Sequence, residues 1–343
     1  MDQRVTISDI AQQSGVSIAT VSLVLNNRPG VSRETRNRVL ETAESLGYSY
    51  RPVSSTNRTA KLGTLGMVVK TDIDTLPQAN PFYSKVMMGI EEACRRNGIN
   101  LLFSTLPVDK DNRPVEIPSM LSNDLADGLL MVGTFVDEMI ISITGKRTPP
   151  IVLVDAYSTS ECFDTVVSDN FHAAYQAVEY LIQKGHRRIA LIGSETSAYP
   201  SLLDRRNGYL RALKENDIPN PYIANFNINK TKGYDETIQL LSENPQITAL
   251  FGINDDVAVT ALHAAQNLGK RVPEDLSIVG YDDTFLAESS KPGLTTMHIG
   301  TISMGRAAVQ LLALRLENPD SARMTLTIHP VLVERDSVSC PLG

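Results

Sequence analysis

No apolar run in this 343-residue sequence approaches the ~20 residues a bilayer-spanning helix needs. The opening MDQRVTISDI has no apolar core of the secretory kind. A soluble, cytoplasmic protein is expected. Cysteine is scarce: Cys94, Cys162 and Cys340 are odd in number and scattered, which fits neither a disulfide framework nor a metal site. His172, His263, His298 and His329 have no clustered partners, so neither a metal site nor a catalytic triad is expected. His186, in KGHRRI, reads as a structural residue at the surface or leading into a strand. No GxxxxGK[ST] phosphate loop occurs, and no nucleophile–base pair or cofactor motif stands out. Neither an enzyme nor a cofactor is expected; turnover of a bound ligand would revive the enzyme reading.

What is present begins with an uneven charge. Residues 1–61 carry eight Lys or Arg against five Asp or Glu, a net +3, while the whole chain sums to −7 and the remaining 282 residues therefore to −10. A small basic head on an acidic body is the layout of a modular polyanion binder. The length allows two or three domains.

Within the head, SDIAQQSGVSIATVSLVLN (Ser8–Asn26) has helical periodicity but a glycine at its centre, where glycine costs about 1 kcal/mol relative to alanine. Splitting it at Ser14-Gly15-Val16 resolves the conflict. Ile7, Ile10 and Ala11 share one face of a first helix, Ser17 is a good N-cap for a second, and Gly15 supplies the freedom of a tight turn. The result is a helix-turn-helix. In the second helix Thr20, Val21 and Val24 should face inward, while Ile18, Ala19, Ser22 and Leu23 face outward. An outer face that small suits a DNA major groove. A third helix, capped by Ser32 and stopped at Gly47, adds Val39, Ala43 and Leu46 to a small core.

VTISDIAQQSGVSIATVSLVLNN followed by VSRETRNRVLETAESLGY resembles the DNA-binding head of the lactose-repressor (LacI/GalR) family. The resemblance implies that Ile18, Ala19 and Leu23 read bases, with Ser17, Thr20, Ser22 and Asn26 positioning phosphates. Leu23 departs from the polar residue common there. An apolar trio cannot bond bidentately to guanine but can touch thymine methyls, so an operator read partly through thymines is expected. The linker RPVSSTNRTAKLG (Arg51–Gly63) also departs. In the family this segment folds on DNA and wedges a leucine into the minor groove, whereas the aligned position here is Asn57 among poor helix formers. Arg51, Arg58 and Lys61 can still track phosphates. A weaker kink is expected, with a flexible tether as the alternative.

From Leu62 apolar runs alternate with helical stretches. Strands are predicted at 64–69, 99–103, 128–132 and 151–155, then at 188–193, 249–253 and 277–281. Continuous apolar runs indicate parallel strands covered on both faces. Two such series imply two doubly wound α/β lobes, with crossings near Ala156–Val166, Asp282–Thr296 and the C-terminus. Ligands bind beyond the carboxyl ends of such strands. There the chain places Asp155, Asn254-Asp255 and Asp282-Asp283, each of which could also be a turn-former or helix cap.

NPFY, VVSDN, LIQKGHRRIALIG, LDRRNGY, GINDDVAV, VPEDLSIVGYDD and PGLTTMH extend the resemblance over the rest of the chain. They are similar, in order, to the family's periplasmic-binding-protein-like effector core. The resemblance implies Arg205 as the arginine holding effector oxygens, Asn254 and Asp282 as second-lobe contacts, Asp155 and Asp169 between the lobes, and Phe82 and Tyr83 as the first lobe's aromatic surface. Where some members stack an aromatic ring on the ligand, this chain has Ile228, with Phe226 nearby. A pocket with few rings is therefore expected, suited to a sugar or polyol. Of Arg205 and Arg206, one is expected to be a solvated helix residue.

The expected organisation is a head at 1–49, a hinge at 50–62 and a two-lobed body at 63–343. The lobes are placed at 63–157 plus 285–315 and at 158–284 plus 316–343. The expected function is sequence-specific regulation of transcription, as a repressor. A homodimer binds a pseudo-palindromic operator and responds to a carbohydrate effector. A corepressor such as a nucleobase, or a protein partner, is the alternative. The ending PVLVERDSVSCPLG has no leucine heptad, which favours a dimer over a tetramer.

Overall fold

The computed structural model describes residues 5–25, 30–46, 48, 62–72, 81–109, 113–121, 123, 125–136, 149–158, 163–228, 231 and 233–341. The chain divides into two units, Met1–Lys61 and Leu62–Gly343.

Among the described residues, the first unit has three helices, α1 (Ile7–Ser14), α2 (Ile18–Leu25) and α3 (Arg33–Ser45). Each start is fixed locally. The Asp9 carboxylate accepts from the Thr6 N–H (2.8 Å) and hydroxyl (2.7 Å). Ser17 Oγ accepts from the Thr20 N–H at 3.1 Å and Ser32 Oγ from the Thr35 N–H at 3.2 Å, satisfying first-turn donors that the helices leave unpaired. Gly15 ends α1 in the left-handed region (φ 70°), and its N–H bonds back to the Ala11 carbonyl. That conformation is strained for a residue with a Cβ. Ile10, Ala11, Val21, Val24, Leu25, Val39 and Ala43 form one core. The expected stop at Gly47 lies outside the described residues.

The second unit holds two parallel sheets. The first has strands β1 (Thr64–Asp72), β2 (Asn100–Val108), β3 (Gly128–Val132), β5 (Ile151–Val154), β7 (Asp164–Ser168) and β13 (Thr325–Ile328), in the order β13-β7-β5-β3-β1-β2. The second has β8 (Ile189–Ile192), β9 (Tyr222–Ala224), β10 (Ala249–Gly252) and β11 (Ser277–Val279), in the order β11-β10-β8-β9. Short pairs β4 (Phe135–Val136) with β6 (Tyr157–Ser158), and β12 (Thr296–His298) with β14 (Val331–Val333), complete the strands among the described residues. Helices α4 (Pro81–Asn97) and α10 (Thr301–Glu317) pack together on the first sheet, while α5 (Asn170–Gln183), α6 (Pro200–Glu215), α7 (Tyr234–Glu243), α8 (Asp255–Asn267) and α9 (Phe285–Ser289) belong with the second. Strands β3, β5, β8, β10 and β11 are buried at every position, which is why they read as unbroken apolar runs.

The lobe boundaries differ from those expected. β7 and β13 join the first sheet, so 164–168 and 325–328 do not go with the second lobe. The alternation of β7 (buried at 164, 166 and 168) and the exposure of edge strand β13 hid them from a search for continuous apolar runs. The crossings consequently fall later than expected. The chain leaves the first sheet at Ser168 and enters α5 at Asn170. Residues 282–296 stay with the second lobe, where Gly280 N–H donates to Thr295 O and Asp282 N–H to Met297 O, and the return to the first lobe follows His298. The third crossing lies between β13 and β14.

Within each lobe, buried polar groups tie segments that are distant in the sequence. Asp164, fully buried, takes the Arg315 guanidinium at both oxygens (2.7 and 2.9 Å) and the Met324 N–H at 2.9 Å. Asp255 accepts from the Thr284 N–H (2.6 Å) and hydroxyl (3.1 Å) and from the Thr296 hydroxyl (2.6 Å). His186 is buried, with Nδ1 at 2.9 Å from Thr248 Oγ1 and Nε2 at 2.9 Å from Ser339 O. It pins the C-terminal segment to the second sheet rather than lying at the surface, and burial pushes its pKa down.

Candidate functional site

Two places collect the residues singled out in the sequence. In the head, the outer face of α2 carries Ile18, 56% exposed, and the exposed Ala19, with Ser22 and Leu23 half-buried beside them. Val21 and Val24 point into the core as expected. Thr20 stays half-exposed, its hydroxyl 2.8 Å from that of Ser17. Asn26, Arg51, Asn57 and Arg58 lie outside the described residues. The face is apolar and small and sits at the helix start, the geometry of a groove-reading helix.

In the body, Tyr83, Asp155, Arg205 and Asp282 converge where the two lobes meet. Arg205, 5% exposed, is held from three sides. Its Nε donates to Asn170 Oδ1 at 2.9 Å, its Nη1 to the Ile253 carbonyl at 2.8 Å, and its Nη2 lies 3.2 Å from Asp282 Oδ1. The guanidinium carbon sits 3.8 Å from the ring centre of buried Tyr281, a cation–π contact. This arginine is positioned by the protein itself. Asp282 follows β11 with φ 105°, and Asp155 follows β5 with φ 46°. Both are left-handed, a conformation that Asp tolerates better than most side chains and that concentrates at functional sites.

Asp155 Oδ2 accepts from the Tyr83 hydroxyl at 3.1 Å, while its buried Oδ1 has no hydrogen-bond partner. Gly133 (φ 70°) makes room for that tyrosine: a Cβ there would lie 2.6 Å from the Tyr83 hydroxyl. Burial pushes Asp155 up to about 6, against the pull of Arg205, the Tyr83 bond and Lys70. It pushes Asp282 up to about 7 against the pull of Arg205, with Asp255 and Asp155 raising it further. Two carboxylates thus share one guanidinium in a desolvated place.

The other expected contacts have different partners. Asn254 caps α8, accepting from the Val257 N–H at 2.9 Å. Asp169 caps α5 and is engaged by His172 Nδ1 at 2.9 Å. Phe82 is buried in the first-lobe core, edge-on to Tyr83. Arg206 is half-buried and tied down rather than free on the helix surface: it donates to the Ser194 carbonyl and to Asn225 Oδ1, both at 2.7 Å. Ile228 packs toward Gly193 at the end of β8. Nor is the region poor in rings. Tyr83, Tyr157, Tyr199 and Tyr281 surround the charged cluster, with Tyr157 and Tyr199 edge-on at 5.2 Å. Nothing periodic marks these tyrosines in the sequence, and only their position after strands β5 and β11 and before α6 could have drawn attention to Tyr157, Tyr281 and Tyr199. Among the described residues, no three His, Cys, Asp or Glu side chains are grouped to hold a metal ion, and no helix is long and apolar enough to cross a membrane.

Comparison with known proteins finds relatives of both the head and the body. Residues 6–50 match the bacterial regulatory proteins of the lacI family, and residues 178–338 match the periplasmic binding protein-like domain. The HTH-type transcriptional repressor PurR of Proteus mirabilis is 32% identical over 344 residues, covering 97% of each chain. Catabolite control protein A of Priestia megaterium is 32% identical over 326 residues, covering 94% of this chain and 96% of its own. Among solved structures, the transcriptional regulator CelR–cellobiose complex superposes with a TM-score of 0.65 at 27% identity, covering 97% of this chain and 100% of that one. A LacI family transcriptional regulator from Enterococcus faecium with bound ribose gives 0.68 at 26% identity, covering 82% of this chain and 100% of that one.

Proposed function

The chain belongs to the LacI family of bacterial regulatory proteins, a DNA-binding transcriptional regulator with an effector-binding domain, and from that premise we propose how it is controlled. A homodimer in the cytoplasm places two heads on a pseudo-palindromic operator. Ile18, Ala19 and Leu23 read bases there, and Ser17, Thr20, Ser22 and Asn26 position phosphates, with Arg51, Asn57 and Arg58 following the duplex between the half-sites. A small molecule held between the lobes sets operator affinity, without being turned over. The observation that carries this is the unmatched, buried Asp155 Oδ1 beside the prearranged Arg205–Asp282 pair. A buried acceptor without a donor is costly, and a ligand hydroxyl would satisfy it.

The effector is a sugar or polyol in this reading, as hydroxyls can both donate to Asp155 and accept from Arg205. The tyrosine rings favour a second reading, a nucleobase corepressor, in keeping with relatives named PurR. Effector and DNA are coupled reciprocally: a ligand that weakens DNA binding by some factor is bound that much more weakly on DNA. The test is calorimetric titration of the full chain with ribose, cellobiose and adenine, then operator binding with and without whichever binds. Binding that is lost in Asp155→Ala and that loosens the operator supports the sugar inducer; binding that tightens the operator selects the corepressor. Binding unaffected by Asp155→Ala and Arg205→Met removes the site from the reading.

A further inference from the structure

The residues with which the body takes up its first strand are held from several directions. Leu62 is buried in the core with Leu65, Val86 and Ile90. The Gly63 carbonyl accepts from the N–H of Asn100, the first residue of β2, at 2.9 Å. The Thr64 carbonyl accepts from the Asp127 N–H at 2.8 Å. On its other side, β3 begins only at Gly128, opposite Leu65, so β1 starts ahead of it. In place of a strand, the Asp127 side chain accepts from the N–H groups of Gly63 and Thr64. Both bonds end on one oxygen, Oδ2, at 2.8 Å each, and they span 64 and 63 positions of the chain. Backbone donors on an ionised carboxylate make charge-assisted bonds, stronger than neutral ones. Glycine suits the close approach, since a Cβ at residue 63 would lie 3.3 Å from the same oxygen.

This is also the place where the body meets the segment that joins it to the head, the division between the two units falling at Lys61 and Leu62. We propose that Asp127 is a positioning residue for operator binding: by clamping Gly63 and Thr64 it fixes where that segment is anchored, and through it the half-site spacing that two heads reach together. The proposal rests on the two-headed operator reading above. Two linked binding modules gain affinity through an effective concentration set by the length and freedom of their connection. Releasing residues 62–64 adds three residues to each connection, up to about 10 Å of extended chain. Half-sites lie one helical turn or a multiple of it apart, on the order of 34–36 Å per turn, so that slack at each head is a large part of the distance. Heads on longer connections meet the best spacing less often and other spacings more easily. Each head by itself reads DNA as before.

The test uses the full chain without added ligand and the half-site that selection from random duplex DNA enriches. Duplexes carry that half-site once, or as inverted pairs at a series of spacings one base pair apart. The wild type should prefer one spacing sharply. In Asp127→Ala, affinity at that spacing should fall several-fold and the profile across spacings should flatten, with the single half-site bound as before. Asp127→Asn keeps an oxygen where both N–H groups are accepted and should restore the wild-type profile. A variant that merely folds less well loses affinity equally on every duplex, the single half-site included, and that result overturns the proposal. An unchanged profile in Asp127→Ala overturns it too. Amide exchange reads the clamp itself: Gly63 and Thr64 should be protected in the wild type and lose protection in Asp127→Ala while Met67 and Val68 keep theirs. Should Asp127→Ala fail to fold, solvent-like exchange at Gly63 and Thr64 in the wild type overturns the clamp, and protection there, with a wild-type spacing profile in Asp127→Asn, supports it. If the wild type binds no pair better than the single half-site, the two-headed reading fails and takes the spacing role with it, and the exchange result still decides whether Asp127 holds the anchor.

Discussion

In the head, Thr6 bonds Asp9, Ser17 bonds Thr20 and Ser32 bonds Thr35, each pair three residues apart and exposed. In the body, Tyr83 reaches Asp155 across 72 positions, Arg205 reaches Ile253 across 48, and Arg315 reaches Asp164 across 151. The contrast fits the two tasks. A head built from local caps and a seven-residue buried cluster leaves Ile18 and Ala19 exposed on the outer face of α2, so those positions can change without touching the core. A site that draws Tyr83 and Asp155 from the first lobe and Arg205 and Asp282 from the second exists only when both lobes are folded and apposed. Whatever binds there therefore bears on the lobe arrangement itself, the requirement for a ligand to shift a conformational equilibrium.

The contrast is open to attack at both ends, beginning with the largest effect. Asp164→Ala leaves the buried Arg315 cation without its carboxylate. The expected loss is about 3–5 kcal/mol, the range for breaking one side of a buried pair. Denaturant unfolding of the body would show it, and a loss under about 1 kcal/mol would mean the carbonyls around Arg315 suffice on their own.

A second effect is pH-dependent. Asp155 and Asp255, at about 6, and Asp282, at about 7, all titrate above the ordinary 3.8 because of burial. The folded body therefore holds these protons more tightly than the unfolded chain does. The stability they contribute is present below about pH 4 and is lost as pH rises through about 6 to 7. The body's unfolding midpoint is expected to fall between about pH 5 and about pH 8, and Asp282→Asn to flatten that slope. A rising midpoint would contradict the burial of these groups.

Smaller effects sharpen the head. Gly15→Ala meets no atom within 4 Å, so its cost is purely the left-handed backbone, about 1–2 kcal/mol. Circular dichroism melts of the head's transition would register it, with the body unchanged. Smaller again, Leu23→Ala should cost about 1 kcal/mol of base preference at the positions it reads, seen in competition binding, while affinity for unrelated duplex stays the same. Unchanged specificity would remove the thymine reading.

The same contrast explains what could be read in the sequence. The three head helices were legible because their caps, turn glycine and apolar spacing lie within a few residues of one another. The buried strands were legible because burial on both faces leaves an unbroken apolar run. β7 and β13 were not, since a half-buried strand and an exposed edge carry no such run. Asp155 and Asp282 could be found from the rule that ligands gather beyond strand ends, and Arg205 from the family resemblance. The same strand-end rule also raised Asn254, and the resemblance Asp169. Both cap helices in the structure, a role that the position of Asn254 before a helical run already offered. The roles of Tyr199, Tyr157 and Arg206 were not legible because they depend on partners from distant segments, and a lone tyrosine or the second of two arginines has no local pattern to announce it.

The most direct test of the whole account is selection of binding sites from random duplex DNA by the full chain, repeated with the ligand that titration identifies. The expected result is a two-fold pseudo-palindrome with thymines at the positions facing Ile18, Ala19 and Leu23, whose enrichment changes with that ligand in the wild type but not in Asp155→Ala. No enrichment under either condition, or enrichment that ignores the ligand, would contradict it.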